Sequence, residues 1–230
     1  MAVSSTSADP PKACVVCLAA GSRPFMEVAG RRYWRCDVCE ATFLDPGQRP
    51  TPEDELAHYR HHENDPGDPR YRAFLSKLAD PLLAKLTPGM SGLDYGCGPG
   101  SALAAMLEEA GLEMALYDPF FHPGRGALQR MYDVITLSEV AEHFFEPAVE
   151  FNRLSSLLKP GGWLGVMTCF QTDDARFDNW HYRRDPTHVV FYRSRTFEVI
   201  AEQRGWSCEI PRKDVVMLQK RRGAAARTLP

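Results

Sequence analysis

The sequence predicts a doubly wound, mostly parallel α/β domain preceded by a small four-cysteine module. Three observations carry that prediction. Strand and helix patterns alternate through residues 71–220, a glycine-rich stretch stands at the first strand-to-helix junction of that series, and two Cys-x-x-Cys pairs lie apart from it near the N-terminus. A chain of 230 residues, 44% hydrophobic and 25% charged, suffices for one full-sized core with length left for an accessory piece.

Residues 1–12 (MAVSSTSADPPK) are small and polar, lack the basic start and apolar run of a secretory signal, and are expected to form a disordered leader. Residues 13–45 hold both cysteine pairs and the β-prone run Arg31 to Arg35, and end in the stop signal Asp45-Pro46-Gly47. The connector 46–70 is rich in Pro, Gly, His and acidic residues, with one short helix expected over 53–59. Over 71–86, Phe74, Leu75, Leu78, Leu82, Leu83 and Leu86 fall at helical spacing, and Pro81 is expected to kink or split that helix.

Strands then follow at 91–95, 113–117, 133–137 and 163–168, separated by helices at 101–110 and 147–158. This strand and helix alternation implies parallel pairing with crossover helices. A helix at 194–204 and a closing pair of strands at 206–210 and 215–219 complete the domain, and residues 221–230 read as a tail.

The formal net charge of -3 argues against a protein that coats nucleic acid, since phosphate binding needs a basic surplus or at least a basic face. The longest apolar runs, such as residues 163–170, fall well short of the roughly 20 residues of a membrane span. The expected compartment is the cytoplasm, and the sequence carries no signal of oligomeric state.

Leu93-Asp94-Tyr95-Gly96-Cys97-Gly98-Pro99-Gly100 runs off a predicted strand into a predicted helix, so its glycines stand where backbone turns sharply and approaches a ligand. Asp118 ends the next strand, where a carboxylate accepts from the hydroxyls of a ribose. The G-C-G-P-G run has neither the G-x-G-x-x-G spacing of dinucleotide loops nor the G-K-[ST] of phosphate loops.

These residues resemble the class I S-adenosylmethionine (SAM)-dependent methyltransferases over about 70–220, and in particular the methylases of ubiquinone biosynthesis. Tyr132 to His143 is similar to that group's fourth-strand motif, and Lys159-Pro160-Gly161-Gly162 to a turn before its fifth strand. The resemblance implies a Rossmann-like sheet of seven strands and SAM as cofactor. It also implies that Gly96, Gly98 and Gly100 approach the methionine part of SAM, with Cys97 in the same loop. Asp94 then orients the loop, Asp118 holds the ribose, and Ser138 and Glu139 reach the cofactor from the fourth strand. Only about fifteen positions separate Asp118 from Asp133, too few for a further helix and strand, so no residue is assigned to adenine.

Cys14-x-x-Cys17 and Cys36-x-x-Cys39 supply four thiolates with the count and pairing of a tetrahedral structural zinc site, although Leu18 and Glu40 stand where zinc ribbons usually carry glycine. The other three cysteines, Cys97, Cys169 and Cys208, are isolated.

Methyl transfer requires alignment and, for a hydroxyl acceptor, removal of a proton. His143, oriented by Glu139 or Glu142, is a candidate base, as are His181 and His188 in the polar, aromatic segment 171–192, which is expected to form a lid or pocket wall that recognises the acceptor. Glu139-x-x-Glu142-His143 also resembles the motif proposed to hold a divalent ion in ubiquinone-type O-methyltransferases. Arg183 and Arg184 are candidates for an anionic group on the acceptor, while His58, His61 and His62 in the connector read as solvated, or as part of a segment folded over the cofactor. The leading expectation is a small-molecule methyltransferase. An RNA methylase that grips its substrate with Arg23, Arg31, Arg32 and Arg35 and stacks bases on Tyr33 and Trp34 is the alternative, and a non-catalytic SAM-binding protein the third.

Overall fold

The computed structural model of the chain describes residues 11–60 and 65–223. Most of the expected leader, His61, His62 and the end of the expected tail lie outside them.

The chain begins with three antiparallel strands, β1 (Ser22–Val28), β2 (Arg31–Cys36) and β3 (Thr42–Leu44). In the connector, α1 (Pro52–Tyr59) starts at Thr51, whose side chain caps the helix together with Asp54, and Pro at N1 suits a position with no intrahelical N–H partner. Next, α2 (Pro69–Leu83) starts two residues earlier than its apolar spacing predicts, because Asp68 caps Arg70. It runs through Pro81 as one element, since that proline falls in the last turn, close to where helical hydrogen bonding ends.

The main series is β4 (Ser91–Tyr95), α3 (Ala102–Glu109), β5 (Glu113–Tyr117), β6 (Tyr132–Ser138), α4 (Pro147–Leu157) and β7 (Leu158–Met167). It continues with α5 (His181–Arg184), β8 (Val190–Phe191), α6 (Ser194–Arg204), β9 (Trp206–Arg212) and β10 (Val215–Lys220). The large sheet has the order β5-β4-β6-β7-β10-β9, with β5, β4, β6 and β7 parallel and β10 antiparallel to both its neighbours.

The doubly wound, mostly parallel class is therefore observed, with six strands in this sheet among the described residues rather than seven. The segment between β5 and β6 holds only the short 3-10 turn Arg125–Gln129, so β5 is an edge strand. The Lys159-Pro160-Gly161-Gly162 stretch is not a separate turn. It forms the start of β7, where the register against β6 shifts between Tyr132 and Val134 and Gly161 takes a φ of 87°.

Alternation sorts the sheet's two faces. Val134, Trp163, Met167, Val215 and Met217 face α2 and α3, whereas Ile135, Leu164, Val166, Val216 and Leu218 face α4, α6 and the cysteine module. At Gly165 a Cβ would lie 2.7 Å from Leu82 Cδ1, so the missing side chain lets α2 cross directly against β7.

The small sheet is completed from far along the chain: β3 pairs with β8, Thr42 opposite Phe191 and Phe43 opposite Val190. Tyr33, Trp34, Phe43, Phe177 and Phe191 are buried in one core with the strands of the large sheet. The N-terminal module thus packs as part of the wall that ends in β8.

Candidate active site

Between β4 and β6 the chain reverses its direction of winding, and the crevice beyond the carboxyl ends of those strands is where such sheets bind ligands. The glycine stretch occupies that place. Gly96 has a φ of 79° and a Cβ there would lie 2.6 Å from Val140 Cγ1, so both backbone angle and close packing require glycine. Gly98 is also left-handed, with a φ of 65°, and its N–H donates to Asp118 Oδ2 at 3.0 Å.

Asp94 is buried below the loop and accepts from Thr136 Oγ1 at 2.7 Å and Ser101 Oγ at 2.5 Å. Ser101 in turn caps α3 by accepting from the Ala104 N–H. Asp94 therefore ties both ends of the loop together, and its burial holds its carboxyl above the usual range, opposed by those two hydroxyls. Asp118 Oδ1 accepts from the N–H groups of Phe120 and Phe121, so three backbone donors fix this carboxylate at the end of β5.

The loop opens on a cavity of about 860 Å³, large for a small-molecule site. Gly96, Gly98, Asp118, Ser138, Glu139, His143 and His188 all line it, so the structure brings these expected residues to one place. Asp94, Cys97 and Gly100 lie behind the loop, against Ser101. Burial pushes the Cys97 thiol up to about 12, which makes it an inert packing group.

Glu139 follows the end of β6 with a φ of 53°, unusual outside glycine, and its N–H donates to the Met167 carbonyl. Burial pushes its carboxyl up to about 7, with Asp214 acting in the same direction and the Tyr182 hydroxyl and Lys77 opposing. His143 Nδ1 lies 3.1 Å from the Thr187 carbonyl and His188 Nδ1 lies 2.7 Å from the Tyr182 carbonyl. A carbonyl only accepts, so both Nδ1 atoms carry the proton and each neutral ring presents Nε2 as its basic nitrogen.

Glu142 lies behind that wall, fully buried, and accepts from the Tyr182 hydroxyl at 2.5 Å through Oε1. Its burial, next to Glu139, raises its carboxyl well above the usual range. The grouping expected from the Glu139-x-x-Glu142-His143 motif differs in the structure. Donor atoms of Glu142, His143 and His188 lie within 4.8 Å of one another, and Glu139, which lines the cavity, is not in that group.

Two expectations for the segment after β7 are corrected. Arg183 is turned inward by the single turn of α5, donating to the Asp178 carbonyl, and Arg184 points to solvent, so neither lines the cavity as an anion site. His58 does not stand free in solvent: its Nε2 lies 3.0 Å from Asp185, tying α1 to the wall that carries His188. By this route α1 adds Glu55 and Tyr59 to the cavity, and Tyr182 joins from α5. The sequence singled out none of the three by itself, although Tyr182 belongs to the segment expected as a pocket wall and the Thr51 to Asp54 cap marks the helix that carries the other two.

The four module cysteines meet at one point. Cys14 Sγ is 3.7 Å from Cys39 Sγ and Cys17 Sγ 3.6 Å from Cys36 Sγ, close to the edge of about 3.8 Å expected of a tetrahedron with zinc–sulfur bonds of about 2.3 Å. The Val16 and Val38 N–H groups point at Cys14 and Cys36 sulfurs. Leu18 and Glu40 each take a φ of 60°, adopting the left-handed turn that glycine usually supplies in such knuckles. The donor set and its geometry fit a four-thiolate zinc ion.

The same module does not present a base-stacking face. Tyr33 and Trp34 are 0% and 1% exposed, and Arg35 is buried on Thr42 and Asp174. Arg23 pairs with Asp37, Arg31 donates to the Pro186 carbonyl and Arg32 pairs with Asp45. The stacking role considered for Tyr33 and Trp34 and the gripping role considered for Arg35 are thereby corrected: these three side chains hold the module together and to its neighbour.

A family model described as a methyltransferase domain matches residues 56–209. Among solved structures, 1,6-didemethyltoxoflavin-N1-methyltransferase from Burkholderia thailandensis is similar, with a TM-score of 0.51 at 14% identity, over 86% of this chain and 99% of that one. An O-methyltransferase family protein from the same organism has a TM-score of 0.49 at 18% identity, over 74% of this chain and 63% of its own length. Magnesium protoporphyrin IX methyltransferase from Synechocystis PCC 6803 has a TM-score of 0.46 at 13% identity, over 74% of this chain and 95% of that one. No curated protein sequence matches the chain.

Proposed function

Because the chain belongs to the methyltransferase-domain family, we propose that it transfers the methyl group of SAM to a small-molecule acceptor held in the same cavity. One observation carries this reading: a single cavity opens both on the glycine loop with Asp118 and on a wall of Tyr59, His143, Tyr182 and His188. Cofactor and acceptor then share one cavity, which is what an in-line displacement needs.

The chain's residues fit the cofactor. The loop of Gly96, Cys97, Gly98 and Gly100 offers close backbone approach to the methionine part, and Asp94 fixes that loop from below. Asp118 is held by three N–H donors and keeps acceptor capacity on both oxygens for ribose hydroxyls, while Ser138 and Glu139 face the cofactor from β6. When bound, SAM supplies an electrophilic methyl carbon on a sulfonium.

His143 is the proposed base, because its Nε2 is the basic nitrogen and its ring lines the cavity, and His188 stands behind it with ring centroids 4.7 Å apart. Cys14, Cys17, Cys36 and Cys39 would hold one structural zinc ion, whose closed thiolate shell leaves no open position for catalysis. The buried Tyr33 and Trp34 favour a small acceptor over RNA.

Calorimetry with SAM tests the cofactor site. Gly96→Ala, which must displace Val140, is expected to weaken SAM binding by at least about tenfold, or a cost of 1.4 kcal/mol or more, in the range of overpacking penalties. Wild-type affinity in a folded variant would refute the assignment of the loop. On an identified acceptor, His143→Ala should lower kcat by about 10² or more at neutral pH, and an unchanged kcat would remove His143 as base.

A further inference from the structure

The chemistry of the cavity wall away from the glycine loop selects among acceptors. Glu55 on α1 is 9% exposed, and its Oε1 accepts from the Tyr59 hydroxyl at 3.1 Å. Glu139 faces the same cavity from β6. Of the other carboxylates on the wall, Asp118 is answered by three backbone N–H groups, Glu150 by Arg153, and Asp185 by Thr187 and His58, while Glu146 is exposed to solvent.

Among the described residues, Arg153 is the one Lys or Arg side chain that lines the cavity. It is engaged by both oxygens of Glu150, at 2.9 and 3.0 Å, and by the Tyr95 hydroxyl at 3.0 Å. Lys77, the cation that acts on Glu139, is bound to Asp214 at 2.7 Å. Glu55 and Glu139 thus have tyrosine hydroxyls near them and, among the described residues, no Lys or Arg of their own.

The space between is aromatic. Tyr59 packs against Phe120 at 5.7 Å and against His143 at 5.3 Å, and Tyr182 lines the same cavity. Carboxylates in such a chamber are costly unless a counter-charge arrives, and aromatic faces attract cations. An anionic acceptor would meet these carboxylates with no guanidinium to bind it, and a neutral alcohol would leave both uncompensated.

We propose that the methyl acceptor is a protonated amine, seated between Glu55 and Glu139 with its cationic head against the rings of Tyr59 and Tyr182. This rests on the methyltransferase reading above. The bound ammonium gives one N–H proton to His143 Nε2. The freed nitrogen lone pair then forms the N–C bond to the methyl carbon as the C–S bond breaks and its electron pair stays on sulfur as a neutral thioether. The product is the N-methylated ammonium ion, and the His143 proton leaves to solvent. Overall one cationic amine becomes one cationic methylamine, with one proton released.

The test uses the intact protein saturated with S-adenosylhomocysteine and two unreactive probes of one shape, benzyltrimethylammonium and the uncharged neopentylbenzene, titrated by calorimetry. The cation is expected to bind about tenfold or more tighter than its neutral isostere, the scale of a desolvated cation–π and carboxylate contact. Glu55→Gln should reduce that preference at least about threefold while S-adenosylhomocysteine binds the variant as it binds the wild type. Equal affinity for the two probes, or no uptake of the cation by the loaded protein, overturns the amine assignment, and an undiminished preference in Glu55→Gln overturns the place given to Glu55. Failure of the wild type to bind S-adenosylhomocysteine would instead sink the methyltransferase reading itself.

Discussion

At Glu139 a left-handed backbone and a carboxyl held near neutrality coincide on a cavity wall, a combination found where function over-rules local preference. It has a measurable sign. In the unfolded chain this carboxyl titrates near 4.5 and in the folded protein near 7, so between those values the folded state binds more protons. Its contribution to stability is therefore most favourable below about 4.5, falls as pH rises toward 7, and is flat above. Glu139→Gln keeps size and backbone angle and removes only the charge. The variant should melt a few degrees above wild type at pH 8, with the gap closing by pH 4.5, as followed by thermal unfolding. A gap that stays constant with pH would refute the buried charge as its cause. The residues most legible in the sequence, Gly96, Gly98, Asp118 and the four cysteines, belong to short motifs whose chemistry needs those types at that spacing. Glu55, Tyr59 and Tyr182 reach the site only through packing of separate segments, which no local pattern encodes.

Among the elements, strands were read nearly to the residue because both faces of the sheet are covered and the alternation of Val134 and Ile135, or Leu164 and Val166, is set by burial on opposite sides. Missing from the sequence reading were β1, β3 and β8, of which β8 is two residues long and stabilised by pairing with β3 rather than by its own propensity. The start of β7 was misread as a turn because Pro160, Gly161 and Gly162 are turn residues by composition, and the bulge that accommodates them depends on β6. The crossing of α2 over β7 makes its own prediction. Gly165→Ala would press a methyl group against Leu78 and Leu82 and is expected to cost about 1–3 kcal/mol, lowering the urea midpoint with an unchanged slope. A midpoint within error of wild type would show that α2 moves away freely.

For the whole molecule, composition and order of motifs indicated the architecture, while the relation of its parts was hidden. The cysteine module read as an appendage, yet Cys39 O accepts from Thr196 on α6, Cys17 O from Gln203, and Val15 O from the Ala148 N–H of α4. Purified protein is expected to carry about one zinc per chain, lost in Cys36→Ser, with elemental analysis as the check; metal-free protein prepared with reduced thiols would refute the site. Zinc loss should also loosen the wall that β8 holds. Hydrogen exchange is expected to rise at residues 177–191 as well as at the knuckles, and a rise confined to the knuckles would mean that the module does not brace the cavity.

The bonds between the module and α6 join residues 157 and 186 positions apart, so the earlier of the two sheets waits for partners made late in the chain. Such distant closure is slow to nucleate, and until β8 is synthesised β3 presents an unpaired edge to any passing strand. A nascent chain halted before residue 190 should therefore aggregate or hold a chaperone, whereas one released after β10 should not. Early capture of zinc by the two knuckles, which needs only local chain, would shorten that interval. Pulse-labelled refolding with and without the ion should show it as a faster gain of protection in β3, ahead of the parallel strands.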